Sequence, residues 1–360
     1  MTHASAPDSA QLVAAARAAR GRGDVEALKQ AVEVLVKRHP RDPRILVLKG
    51  DALAAEGDLR SAVSFYRAAV SLGQQVPNPS PDMVEELRRA RTLQAEAAER
   101  FEQGLRQGLA ARGFDPQGSS PRFAASLDLM MGRRQVYYQQ PKFYLFPGLP
   151  QVEFQPPETV AWLKGVEAAA PAIREELQAI LAEPALFAPY VEDRANRPGS
   201  DQAGLLGNHD WSAFFLWKDG EPVPDMVGRC PRTMQALAEA PLCRIPGRSP
   251  SILFSRLAAG AKIPPHHGLI NTRLICHLPL VVPDGCHFRV GGETRQWREG
   301  QAWAFDDTIE HEARNDSDQD RTILIFDVWK PEITAEEQDL IRALFATIDD
   351  SGAAAPRLGV

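Results

Sequence analysis

Three things are scarce in this 360-residue chain: cysteine, long apolar runs and basic charge. Each shortage removes a class of protein. The four cysteines, Cys230, Cys243, Cys276 and Cys286, lack Cys-x-x-Cys spacing and are too sparse for a disulfide framework, so a reducing, cytoplasmic compartment is expected. A membrane helix needs about 18 or more consecutive apolar residues, and no such run occurs, so no membrane span is expected. The opening "MTHASAPDSAQLVAAARAARGRGD" carries no lysine or arginine ahead of an apolar core and does not read as a secretory signal. With 41 basic against 47 acidic residues the formal charge is −6, whereas general nucleic-acid binders carry a basic excess. No nucleic-acid partner is expected.

What is present is ordinary globular material, 44% apolar and 24% charged, long enough for two domains with cores of their own. The first hundred residues are rich in alanine, leucine, arginine and glutamate at helical spacing. They also repeat. "RGDVEALKQAVEVLVKRHP" (22–40) aligns with "EGDLRSAVSFYRAAVSLGQ" (56–74) so that Gly23-Asp24 superposes on Gly57-Asp58, an offset of 34. That is the period of the tetratricopeptide helix–turn–helix. Gly50, Ala62, Tyr66 and Ala69 stand where that unit places small, small, aromatic and small residues, and Pro40 ends the first unit. Only about two repeats are visible, and the helix expected over 82–107 would cap them. The predicted domain is a helical repeat region over 8–110, followed by a glycine-, proline- and serine-rich linker, "RGFDPQGSSPR" (112–122).

After the linker the texture changes. Residues 123–190 mix helix with proline-rich loops, and from about 205 to 330 short β-runs alternate with turn residues: "SILFSRLA", "TRLICHLPLVV", "HFRVGG", "QAWAFDD", "RTILIFDVW". Many short strands without intervening helices suggest a sandwich or jelly roll. A final helix, "TAEEQDLIRALFATI", is predicted to be capped by Thr334 with Glu337. The second domain is set at 123–345 with its core at about 205–330.

Five of the eight histidines fall between His266 and His311. Imidazole is a natural ligand for iron, zinc or copper. His266 follows Pro264-Pro265 at what reads as a strand start, His311 comes 45 positions later, and Arg321 follows ten after that. A planar guanidinium grips a carboxylate with two hydrogen bonds, so this order suits a metal with a dicarboxylate cosubstrate. The usual His-x-Asp…His triad is broken, because the third-ligand position holds Gly268. Either the motif is accidental, or Asp306 or Asp307 supplies the carboxylate, or the site has two protein ligands and water.

Residues 205–335 resemble the aspartyl/asparaginyl β-hydroxylase family through "DWSAFFLW" (210–217), "PHHGLINTRL" (265–274), "ETRQWREGQAWAFDDTIEHEARND" (293–316) and "FDVWKPEIT" (326–334), in family order and spacing. In that family glycine replaces the metal-binding carboxylate, and an N-terminal tetratricopeptide region accompanies the catalytic domain in animal members. The resemblance implies an α + β two-domain chain, with tetratricopeptide-like repeats followed by a double-stranded β-helix (jelly-roll or cupin-like) oxygenase domain with flanking helices. It implies an Fe(II)- and 2-oxoglutarate-dependent dioxygenase that uses O2 to hydroxylate an unactivated C–H bond, such as the β-carbon of an Asp or Asn in a peptide, protein or related small molecule. Carried over, it makes His266 and His311 the iron ligands, gives Arg321 and Ser255 the distal carboxylate of 2-oxoglutarate, and gives His277 the carboxylate beside the keto group. Trp211 would line the same pocket. Where the animal enzymes have a substrate-binding arginine, this chain has Ile275; Arg273 nearby is the candidate that would compensate. The repeat region is expected to be a platform for a partner or substrate. The alternatives are hydroxylation of a lipid acyl chain and a non-catalytic scaffold.

Overall fold

The 34-residue repeat has a physical origin that the structure, a computed structural model describing residues 8–115, 118–191 and 204–351, makes plain. Helices α1 (Ser9–Arg22) and α2 (Val25–Arg38) form one hairpin, and α3 (Pro43–Ala55) and α4 (Leu59–Gly73) the next. Gly23 and Gly57 take left-handed φ values of 70° and 88°, which end α1 and the α3 turn at no cost only for glycine. The aspartate that follows each glycine caps the next helix: Asp24 accepts from the Ala27 N–H and Asp58 from the Ser61 N–H. Gly50 is small for packing reasons, since a Cβ there would stand 2.4 Å from Tyr66 Cε1. The long α5 (Pro81–Ala110) covers the second hairpin, and α6 (Pro121–Met130) follows.

The buried carboxylates of this helical unit are enclosed by donors. Asp51 accepts from Tyr66 Oη at 2.8 Å and from Arg20 and Arg89, and Glu86 is gripped by two nitrogens of Arg20. Contacts divide the chain after Arg134. Residues 123–134, which the sequence reading put with the second domain, therefore group with the helices, because α6 packs no strand of its own.

The second unit is built on two antiparallel sheets. The larger runs β1 (Ala188–Pro189), β2 (Trp211–Lys218), β4 (Ile252–Leu257), β11 (Arg321–Trp329), β6 (Arg273–Val281), β9 (Trp303–Phe305), with β3 (Glu221–Pro222) beside β2. The smaller runs β5 (Lys262–His266), β10 (His311–Asn315), β7 (Cys286–Val290), β8 (Glu293–Gln296). Strand alternation gives the large sheet two apolar faces. Leu274, Cys276, Leu278, Leu324 and Phe326 pack against helices α7 (Leu163–Ala168) and α8 (Ala170–Leu181). Leu253, Ile275, Ile323 and Ile325 meet Phe288, Val290 and Ala313 of the smaller sheet. Short helices α9 (Pro224–Arg229) and α10 (Pro231–Ala236) follow β3, and α11 (Ala335–Asp350) closes the unit with the expected Thr334–Glu337 capping box.

One expectation is corrected here. His266 ends β5 instead of starting a strand, and Pro264-Pro265 lie inside it. That is tolerated because β5 is the edge of its sheet, where a missing N–H breaks no ladder. All four cysteines are free and buried, and among the described residues no helix is long and apolar enough to cross a membrane.

Candidate active site

Strand register brings the two candidate ligands together. His311 pairs directly with His266 across β5 and β10, and their ring centroids lie 4.0 Å apart. Each ring is held the same way. His266 Nδ1 lies 2.8 Å from the Pro264 carbonyl and His311 Nδ1 3.0 Å from the Ile309 carbonyl, two residues back in each case. A carbonyl only accepts, so Nδ1 carries the proton and Nε2 keeps its lone pair, the tautomer a metal ligand needs. Burial pushes the pKa of His266 down and that of His311 well below the ordinary value, which keeps both rings neutral.

Both rings line a cavity of about 40 Å³ between the sheets, together with Trp211, Ser255, His277 and Arg321. All six residues assigned to metal and cosubstrate thus converge on one space from six strands. Trp211 Nε1 donates to Ser255 Oγ at 3.1 Å, and its ring stacks on Tyr190 at 4.0 Å, so the tryptophan orients the serine.

Arg321 is the most informative residue. It is 1% exposed, and its one recorded hydrogen bond is a long contact to the Ser255 carbonyl at 3.5 Å. No carboxylate pairs with it among the described residues, and its Nε has no partner. Burial pushes its pKa down to about 10. The face of Trp297, 4.7 Å from the guanidinium carbon, offers partial compensation. A buried, uncompensated cation is costly, and it is kept where an anionic ligand completes the pair. His277 Nδ1 and Asp307 Oδ1 line the same cavity and are also buried without partners. Burial, then the charge of Arg321, pushes the His277 pKa well below its usual value. Three orphaned polar atoms, one positive and one negative group among them, describe a space that fits a metal with a carboxylate-bearing cosubstrate.

The Gly268 anomaly also resolves geometrically. A Cβ at Gly268 would stand 2.2 Å from Asp307 Oδ2, so the aspartate occupies the room a side chain would need. Asp307 Oδ2 accepts from Arg273 Nη2 at 3.2 Å, while burial pushes the carboxyl up to about 6 despite that cation. Among the described residues no group of three or more His, Cys, Asp or Glu side chains converges as a metal cluster. Two histidines carry the site.

Arg273 is a correction. Its guanidinium is 0% exposed and tied to Asp307 and Asp327, each at 3.2 Å, and it does not line the cavity. It holds the aspartate in place and is not available to a substrate. Ile275 is buried in the cavity wall. His267 and His287 do not line the cavity.

Sequence reasoning missed two parts. Trp297, Phe288 and Phe305 form an aromatic wall around His277. Residues 139–146 form a strap over the histidine loops: the N–H groups of Gln140, Lys142 and Phe143 donate to the carbonyls of Thr308, Gly268 and Leu269. Gln139 Nε2 also donates to Asp306 Oδ2 at 2.7 Å, and Lys330 Nζ reaches the same oxygen at 2.6 Å. Only the proline-rich texture of "QQPKFYLFPG" hinted at an ordered loop.

The β-unit is thus a jelly-roll-like pair of sheets enclosing two histidines and an arginine that has no carboxylate partner among the described residues. A family model described as aspartyl/asparaginyl beta-hydroxylase matches residues 167–331, a span containing all six cavity residues named above. The aspartyl/asparaginyl beta-hydroxylase of Mus musculus is 36% identical over 148 residues, 40% of this chain and 19% of that protein. The ornithine lipid ester-linked acyl 2-hydroxylase of Rhizobium tropici is 34% identical over 48% of this chain and 59% of its own length. Aspartate beta-hydroxylase domain-containing protein 2 of Rattus norvegicus is 30% identical over 58% of this chain and 60% of its own. The chain therefore spans 19% of the mouse β-hydroxylase and 60% or less of the other two. Among solved structures, the cupin domain of Schizosaccharomyces pombe Cnp3 overlaps 30% of this chain and 65% of its own at TM-score 0.21 and 9% identity. Residues 167–331 are thus similar to the aspartyl/asparaginyl β-hydroxylase family.

Proposed function

We propose that the β-unit is an Fe(II)- and 2-oxoglutarate-dependent dioxygenase that hydroxylates an unactivated C–H bond. The observation that carries this reading is the buried Arg321, left without a counterion in the cavity that holds the His266–His311 pair. Iron with 2-oxoglutarate and O2 supplies the oxidation: one oxygen atom enters the substrate as hydroxyl, the other enters succinate, and carbon dioxide leaves. The chain's own residues bind, orient and exclude water. His266 and His311 offer Nε2 lone pairs, fixed by their carbonyl-bound Nδ1 atoms. Arg321 neutralises the distal carboxylate of the cosubstrate, with Ser255 beside it. His277 takes the carboxylate next to the keto group. Asp307 Oδ1, left without a partner in the cavity wall, would accept a hydrogen bond from water in the cavity.

For the substrate, the family points to the β-carbon of an Asp or Asn, in a peptide or a small molecule. The positive charge of Lys142 acts on both His266 and His267, which suits an acidic group near the cavity. A second reading, an acyl-chain substrate, draws on the apolar wall of Ile263, Ile275 and Ile325 and on the similarity to the acyl 2-hydroxylase. The repeated helical hairpins are read as tetratricopeptide-type units serving as a platform. Succinate release with Asp- or Asn-containing peptides, and a gain of one oxygen atom in the peptide by mass spectrometry, test the first reading. Oxygen gained by acyl lipids instead selects the second. No succinate with either overturns both in favour of a non-catalytic scaffold.

A further inference from the structure

The helical unit carries a feature its own packing does not explain. Helix α5 runs for 30 residues, yet its buried side chains, Met83, Glu86, Leu87 and Ala90, all lie in its first third. Beyond Ala90 none of its side chains is buried. A trough of about 1380 Å³ opens there against the first half of α4, with Met130 and Met131 at one edge. One face of α4 lines it, through Leu59, Arg60, Val63, Ser64 and Arg67, and α5 lines it through Arg91, Gln94, Ala95 and the turns at 97–102. The α4 positions recur at helical spacing, so that set points one way.

The chemistry of the trough is two-sided. Its floor is apolar and wet: Phe101 is 61% exposed, Met130 59% and Leu59 49%. Large side chains left in water along a concave surface mark an interaction site more often than isolated ones do. Its walls are cationic. Arg60, Arg67, Arg91 and Arg100 line it, and none of the four makes an ion pair among the described residues, although Arg17, Arg20, Arg44 and Arg89 of the same unit all do. The carboxylates present are Glu99 and Glu102, and Glu102 is already held by Arg106 and Arg133. Four free guanidiniums therefore face one uncommitted carboxylate, in a chain whose net charge is −6.

We propose that this trough docks an acidic peptide segment carrying apolar side chains. Carboxylates of the segment pair with Arg60, Arg67 and Arg91, where guanidinium geometry favours two-pronged contacts. Apolar side chains cover Leu59, Val63 and Phe101, in the manner of an amphipathic segment laid in a groove. The apolar floor separates this occupant from a nucleic acid, whose phosphates would use the arginines and leave Phe101 and Met130 in water. The proposal stands independently of the chemistry assigned to the β-unit.

The test uses the full chain and fluorescence anisotropy with a labelled peptide of alternating acidic and leucine residues. The controls are the same peptide with lysines for its acids and a single-stranded oligonucleotide of matching charge. The expected result is saturable binding of the acidic peptide, weakened by salt. The triple variant Arg60→Ala, Arg67→Ala, Arg91→Ala is expected to lose about tenfold or more in affinity, and Phe101→Ser a comparable amount. All four residues are solvent-facing, and unchanged helicity by circular dichroism confirms that the variants fold. Three results overturn the proposal: no saturable binding of the acidic peptide, binding indifferent to both variants, or oligonucleotide binding as tight as the peptide's and insensitive to Phe101→Ser.

Discussion

Two arginines lie buried at opposite ends of the β6–β11 pair, and the protein treats them in opposite ways. Arg273 sits opposite Trp329 at the far end of β11 and is locked between Asp307 and Asp327. Those carboxylates outweigh burial and raise its pKa. Arg321 opens β11, pairs with no carboxylate among the described residues, and has its pKa pushed down by burial. The residues are the same type, in the same sheet, at nearly the same exposure. Only the company differs. A buried charge with its partners supplied internally is architecture, and one without them waits for a ligand. The helical unit follows the first pattern throughout its interior, where Asp51 and Glu86 are enclosed by arginines.

The sharpest way to break this comparison is to remove each cation in turn. Arg273→Met strands two buried carboxylates and is expected to cost about 3–5 kcal/mol in urea unfolding followed by tryptophan fluorescence. Arg321→Met removes an uncompensated charge and is expected to leave stability equal or higher in the same assay, while weakening cosubstrate binding by about 30-fold or more. Equal destabilisation by both would dissolve the distinction. Next in size, His266→Ala and His311→Ala should each weaken Fe(II) binding in anaerobic calorimetry by more than about 100-fold, beyond what loss of an outer partner costs.

Gly268→Ala probes the boundary between the two patterns, because Asp307 belongs to the Arg273 cluster yet fills the space beside Gly268. Overpacking there should cost about 1–3 kcal/mol in thermal unfolding, and most of that cost should vanish in an Asp307→Gly background. An unchanged cost would mean the clash lies elsewhere.

The smallest effect is a pH separation between the units of the metal-free protein. His277 is neutral when folded and has its pKa held well below the ordinary value of 6.5 by burial, then by Arg321. The unfolded chain binds the proton more readily, so stability of the β-unit is present above pH 6.5 and is lost as pH falls below it. In the helical unit, burial alone would raise the Glu86 pKa, but the arginines around it bring it below the ordinary value of 4.5. Its contribution is present above that value and is lost only at lower pH. All six tryptophans lie at or beyond Trp162, so their fluorescence reports the β-unit, while circular dichroism follows the helices. Fluorescence should change first on acidification, and His277→Gln should delay it.

These contrasts also show what a sequence alone can carry. The Gly-Asp turns, the Thr334 cap and the strands around Arg273 and Arg321 were legible because each depends on local backbone chemistry or alternation. That His266, His311 and Arg321 share one cavity was legible because histidine and arginine in that order suit a metal and a carboxylate, and the family resemblance selected among the explanations for Gly268. What escaped depends on contacts between distant segments. Nothing near Arg273 in sequence announces Asp307 and Asp327, so its enclosure was invisible and it was read as facing substrate. The strap at 139–146 binds through backbone groups, which leave no side-chain signature, and Trp297 acts on Arg321 only across the sheets. The Pro-Pro pair before His266 argued against a strand interior, and only the edge position of β5 reconciles them.

The account rests on Arg321 being kept for an anion beside the two-histidine centre, and anaerobic calorimetry of 2-oxoglutarate with the Fe(II)-loaded protein tests that directly. The prediction is binding that requires the metal and falls by about 30-fold or more in Arg321→Met, the loss of one partner of a buried charge pair. Binding of equal strength to the wild type and to Arg321→Met, or none to the loaded wild type, would contradict it.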